Sequence, residues 1–169
     1  MDENAVYSLW MMNSVKPFSK VLYKMLRVFD SPRQAYEAAA GAGLDPHYFT
    51  KREAAEFSDL SLDKAERMLG YCRRRGIRVV TFYDEEYPSM LRQIPTPPMA
   101  LFVKGNLPDT AARPSVTVIG TRECSPRGRR IAARLAYDLS LCGVTVVSGM
   151  AKGVDTCAHK GCLLADKSP

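Results

Sequence analysis

Two stretches of this 169-residue chain concentrate residues suited to holding an anion, GTRECSPRG at 120–128 and SGMAKGVDTCAH at 148–159. In the first, Gly120 stands where the backbone must turn sharply, Arg122 follows as a fixed cation, and Ser125-Pro126 reads as a helix cap with proline in the first helical position. Behind that cap come Arg127, Arg129, Arg130 and Arg134 with no acid between them. A helix N-terminus carries the positive end of the macrodipole, so arginines there oppose it. An external phosphate resolves the conflict, because it gains from the dipole, the backbone amides and the guanidinium forks together. The competing reading has the arginines lying over solvent or pairing with Asp138 and Glu123. In the second stretch Gly149 and Gly153 permit close backbone approach, Lys152 supplies a point charge, and Asp155 is placed to cap a short helix that contains His159.

The standard nucleotide cradles are absent. No G-x-G-x-x-G follows the preceding apolar run, no G-x-x-x-x-G-K-[ST] occurs, and Ser148 stands where an acid would meet a ribose, so a nicotinamide or ATP site is disfavoured. Ser148, Asp155 and His159 could be drawn as a hydrolytic triad. Ser148 is not on a G-x-S-x-G elbow, however, and Asp155 and His159 lie one helical turn apart, so His159 is read as a locally bonded, turn-stabilising imidazole and no catalytic residue is assigned. The five cysteines, Cys72, Cys124, Cys142, Cys157 and Cys162, are odd in number and contain no C-x-x-C pair. That fits reduced thiols in a cytoplasm rather than a disulfide or zinc framework, and no metal or other cofactor is expected.

The elements that must position the two loops follow from the flanking periodicity. Val116 to Ile119 is a buried-type β run, Ile131 to Cys142 is helical, Gly143 stops the helix, and Val144 to Val147 is a second β run. Continuous apolar strands around an amphipathic helix predict a βαβ unit with a parallel pair, its ligand crevice at the strands' carboxyl ends, where both loops lie. The front of the chain differs. Val21, Leu22, Met25, Leu26 and Phe29 recur at helical spacing from Phe18, Ser31-Pro32 with Gln34 opens a short helix that Gly41 and Gly43 close, Thr50 and Glu53 repeat the start signal, and a further helix runs from about Ser61 to Gly76. Ile77 to Phe82 and Leu101 to Val103 are short β runs within a turn- and proline-rich connecting segment. Three regions result, a helical 1–76, a connecting 77–112 expected to pack on the sheet, and the βαβ region 113–169.

Charge separates the halves. Residues 1–70 hold 9 Lys+Arg against 10 Asp+Glu, and residues 71–169 hold 15 against 8. The basic half is a fitting footprint for a polyanion, with a merely solvated surface as the bland reading. A hydrophobic content of 46% and a charged content of 25% predict a chain with a real core and exclude disordered and collagen-like classes. The lack of a long apolar run and the acidic start (MDENAVYSLW) predict a soluble, unexported protein away from membranes.

From Asp84 onward the sequence resembles the DNA-processing protein A (DprA, also called Smf) family. The resemblance rests on YPSMLRQIPTPPMALFVKGNL at 87–107, VIGTR at 118–122 with Ser125 and Gly128 following, and SGMAKGVDTCAH at 148–159, in the family's order and spacing. The blocks cover about half of the chain. The front end is similar, less distinctively, to the family's sterile-alpha-motif-like domain. The fold implied is α/β, a small all-helical domain followed by a Rossmann-like parallel-sheet domain. The function implied is non-enzymatic, binding and protecting single-stranded DNA and handing it to the RecA recombinase during natural transformation. The pocket implied comprises Gly120, Thr121 and Arg122, with Arg122 as the main phosphate contact, together with Ser148, Gly149, Lys152 and Gly153. Ser125, Arg127, Gly128 and Arg129 of the adjoining helix start join the expected DNA contacts, and Asp155 and His159 are structural parts of the loop.

The family's chain continues with further strands, whereas this one stops at Ala165-Asp166-Lys167-Ser168-Pro169, so the sheet is expected to be unfinished and the chain a piece of a longer protein. The continuation is where the resemblance places the homodimer and RecA-contacting surfaces. Two other classes compete. One is a nucleotide-processing enzyme similar to the nucleoside-monophosphate phosphoribohydrolases, marked by a P-G-G-x-G-T-x-x-E loop that this sequence lacks. The other is an interaction module working through the helical front end, which predicts no nucleic-acid affinity at moderate salt.

Overall fold

The computed structural model describes residues 3–16, 19–108 and 112–165. They belong to two compact units, Met1–Leu107 and Pro108–Pro169. The first contains α1 (Glu3–Ser14), α2 (Lys20–Val28), α3 (Pro32–Ala40), α4 (Lys51–Ala55), α5 (Asp63–Arg74), β1 (Arg78–Thr81), α6 (Ser89–Arg92) and β2 (Ala100–Val103).

The sequence-read caps are in place. Ser31 Oγ accepts from the Gln34 amide at 3.2 Å, and the Gln34 side chain accepts from the Asp30 amide at 3.2 Å, one residue further back than a standard capping box. Thr50 and Glu53 form the full reciprocal box, Thr50 N donating to Glu53 Oε2 at 2.9 Å and Glu53 N to Thr50 Oγ1 at 3.3 Å. Phe18 lies outside the described residues, and α2 begins at Lys20 behind a Ser19 cap. The periodicity missed α1. Ala5, Val6, Leu9, Trp10 and Met11 are all buried, so that helix shows no single apolar stripe. It is central to the unit: Trp10 Nε1 donates to Asp59 O at 2.8 Å, and Met11, Met25, Phe49 and Phe57 close the core around it.

β1 and β2 pair antiparallel, Arg78 opposite Val103 through Thr81 opposite Ala100. The run near residue 101 therefore pairs with the run after Gly76; β1 also packs on α1 and α5. The YP and PP residues of the 87–107 block serve this substructure. Tyr87, fully buried, donates through its hydroxyl to Pro98 O at 2.7 Å, and the Arg92 guanidinium lies 5.0 Å from the Phe82 ring centre and 5.3 Å from that of Tyr87. Burial pushes the Tyr87 phenol up to about 12, which keeps it a donor at any ordinary pH.

The second unit contains β3 (Ser115–Thr117), α7 (Pro126–Leu141), β4 (Thr145–Val147) and α8 (Val154–Leu164). β3 and β4 are parallel, Ser115 opposite Thr145 and Thr117 opposite Val147, which is the expected βαβ pairing. Gly143 ends the turn after α7 at φ +76, a left-handed conformation that glycine adopts freely. Val118, Ala136, Val146, Ala158 and Cys162 form the core under the pair. α7 and α8 pack along each other at very close range, because a side chain at Gly161 would strike the Ala133 backbone carbonyl. The terminal residues 166–169 and residues 109–111 lie outside the described residues.

Candidate nucleic-acid interface

Both glycine-containing loops leave the carboxyl ends of the parallel strands, residues 118–125 after β3 and 148–153 after β4. The structure ties them together by backbone. Val154 N donates to Thr121 O at 3.2 Å, and Ser148 Oγ donates to Val118 O at 2.7 Å. Gly153 sits at φ +88 so close to the other loop that a Cβ would overlap Thr121 O and lie 2.5 Å from Arg122 O. Gly120 is closed in likewise, with Val154 Cγ2 at 2.6 Å from its ideal Cβ position. Glycine is required at 120 and 153 because another chain segment occupies the side-chain space.

The helix start behaves as read. Ser125 caps α7, its Oγ accepting from the Gly128 amide at 3.1 Å, with Pro126 in the first turn. Of the arginines that follow, Arg134 forms an ion pair with Asp138 at 2.8 Å, and the Arg129 Nε donates to Cys124 O at 3.3 Å. The pairing alternative thus accounts for Arg134. Arg122, Arg127 and Arg130, and Lys152 of the second loop, are exposed and in no ion pair among the described residues. Thr121 is held locally, its Oγ1 accepting from the Glu123 amide at 3.2 Å.

Two expectations in the second loop change. The N-cap of α8 is Gly153, with no side-chain cap, and not Asp155. Asp155 lies one position into the helix, buried, and its Oδ2 accepts from the Ala151 amide at 3.3 Å while facing Gly149, where a Cβ would come within 3.1 Å of the same oxygen. Asp155 therefore pins the loop to the helix start, where the dipole favours a carboxylate. His159 was expected to bond locally. Its Nε2 is buried without a hydrogen-bond partner among the described residues, at a position one turn inside α8 rather than in the loop. Ser148 donates to Val118 O just after β3, Asp155 accepts from the Ala151 amide, and His159 Nε2 is buried without a partner among the described residues, so none of the three bonds to another.

Two positioning residues escaped the sequence reading. Thr156 Oγ1 donates to Ala151 O at 2.6 Å, a local side-chain closure whose signal is a threonine just inside a helix start. Met150 takes φ +54 and is 82% exposed, so the loop crest presents a thioether to solvent at the expense of a strained backbone.

The family model of DNA recombination-mediator protein A matches residues 78–168, more than half of the chain. Among curated relatives, the DNA processing protein DprA of Streptococcus pneumoniae is 41% identical over 80 residues, 47% of this chain and 28% of its own. The DNA processing protein DprA of Bacillus subtilis is 29% identical over 102 residues, 60% of this chain and 34% of its own. The X-ray structure of DprA from Streptococcus pneumoniae superposes with a TM-score of 0.70 at 25% identity, covering 99% of this chain and 56% of that one. This chain thus spans about a third or less of the length of these curated relatives. The mixed α/β fold, the glycine loops and the matched residues agree, and the chain belongs to the DNA recombination-mediator protein A (DprA/Smf) family.

Proposed function

We propose that this chain binds single-stranded DNA without catalysis, through the loops 120–128 and 148–153, and that within a longer family protein this binding protects the strand and passes it to RecA during natural transformation in the cytoplasm. The observation that carries the reading is the joining of two glycine loops, backbone to backbone, beside a helix start, with Arg122 of the first loop and Arg127 and Arg130 of that helix in no ion pair among the described residues. Such a surface suits a row of phosphates: the guanidiniums supply charge and forked donors, and the helix start adds its dipole. Lys152 contributes a point charge, and Met150 offers an apolar edge to unstacked bases. The nucleotide-processing alternative needs residues committed to chemistry, whereas Ser148 and Asp155 are engaged in loop geometry. Homodimer formation, implied by the family resemblance, belongs to the same longer protein.

The test is titration of a fluorescent single-stranded oligonucleotide with the protein and with Arg122→Ala over a range of salt, with duplex competitor. Wild type is expected to prefer the single strand and weaken steeply with salt, and Arg122→Ala to bind more weakly with a salt slope smaller by about 1. Equal binding by the two proteins at every salt concentration would overturn the site.

A further inference from the structure

The outward face of α5 in the first unit carries a second cationic surface with an aromatic ring set in it. Ala65, Leu69 and Cys72 bury the inner face. At helical spacing on the other side lie Lys64, Arg67, Tyr71 and Arg74, with Arg75 at the C-cap just beyond, all exposed, a stripe about 16 Å long at 1.5 Å per residue. Tyr71 is 50% exposed, and the Arg75 guanidinium lies 5.3 Å from its ring centre. Lys64, Arg67 and Arg74 form no ion pair among the described residues, although Asp63 shares the same side of the helix one turn before Arg67.

The helix dipole accounts for part of this, since basic residues suit a last turn and Arg73 and Arg74 stand there. It does not account for Lys64 in the first turn, for Arg67, or for a tyrosine held half in solvent between cations. A partner that is both polyanionic and aromatic accounts for all of them. Phosphates meet the guanidiniums, and an unpaired base stacks on the Tyr71 ring, with Arg75 already engaging that ring. A duplex keeps its bases stacked inside and offers no face to Tyr71, and an acidic peptide offers no base.

We propose that the Lys64–Arg75 face of α5 is a stacking site for single-stranded DNA, separate from the loops of the second unit, with Tyr71 as the base platform and Arg67 and Arg74 as phosphate contacts. The choice of DNA as the strand rests on the function proposed above; the stacking chemistry does not.

The experiment uses the full chain and a single-stranded oligodeoxynucleotide carrying 5-iododeoxyuridine, irradiated and mapped by mass spectrometry, with affinity measured alongside for Tyr71→Phe, Tyr71→Ala and Arg67→Gln/Arg74→Gln. Trp10, the single tryptophan, is buried in the same unit, so unchanged emission shows each variant is folded. The expected result is an adduct at Tyr71, affinity retained in Tyr71→Phe and reduced about tenfold in Tyr71→Ala, and a salt slope smaller by about 2 in the double arginine variant. No adduct at Tyr71 together with wild-type affinity in Tyr71→Ala would overturn the proposal. Arg122→Ala in the same series separates the two sites. Loss there with Tyr71→Ala unaffected leaves the loops standing and removes the helix face; loss at Tyr71 with Arg122→Ala unaffected does the reverse.

Discussion

Between Met1 and Leu107 the large apolar residues find one another: Leu9, Met11, Met25, Phe49 and Phe57 are fully buried, and short capped helices wrap around them. In the second unit, among the described residues, only a small apolar cluster around Val118 and Val146 is closed. Val146 turns inward, but Val147 beside it, Ile119, Ile131, Leu135, Leu163 and Leu164 remain exposed. Antiparallel pairs and helices can close a core with one buried face each, whereas a parallel pair is ordinarily covered on both sides. Here α7 and α8 both pack on β4 and on each other, and the curated relatives are longer than the stretch this chain matches. The expectation from this contrast is that the first unit draws its stability from its own core, and the second mainly from the seam between its two helices.

The sharpest way to break that comparison is Gly161→Val. Its side chain would be driven into the Ala133 backbone, which cannot yield as a flexible side chain can. A loss of about 3 kcal/mol or more is expected, unfolding the second unit. Amide exchange in α7 and α8 should become fast and the single-strand binding proposed for the loops should disappear, while Trp10 emission stays native. A shift of the Trp10 transition would show that the units are not independent.

The complementary change is Leu9→Ala, fully buried in α1. A cost of about 2–5 kcal/mol is expected, seen in urea melts followed by Trp10, with exchange in α7 and α8 unaltered. Smaller is Thr50→Ala, which removes the capping hydroxyl of α4 and should cost about 1 kcal/mol in the same melts.

The finest test is acid titration at the same cap. A hydrogen bond from Lys24, followed by the Thr50 amide, holds the Glu53 carboxyl down at about 2 from its ordinary 4.5. Its contribution to the first unit is therefore present above 4.5 and lost as pH falls toward about 2. The stability difference between wild type and Glu53→Gln should shrink across that window, and a difference independent of pH would remove the ion pair from the account.

Much of this protein was legible before folding because its signals are local. The caps at Ser31, Thr50 and Ser125 and the stop at Gly143 depend on neighbours within a few residues, and each is found where the spacing puts it; the parallel pair, whose partners are 30 residues apart, follows from the apolar runs on either side of an amphipathic helix. The candidate loop residues were legible for the same reason: glycine, serine and arginine at a strand's end have few local alternatives. α1 was not, since a helix buried nearly all round shows no amphipathic period.

The sequence by itself determined the helix starts at Ser31, Thr50 and Ser125, the βαβ unit, the basic second half and the family to which the glycine blocks point. Tertiary structure alone decided that the Leu101 run pairs with the run after Gly76, that Gly153 caps α8 while Asp155 pins Ala151, and that Tyr71 lies exposed among cations. Pairing, burial and unpaired charge depend on which distant segment fills the space beside a residue, and no local spacing encodes that.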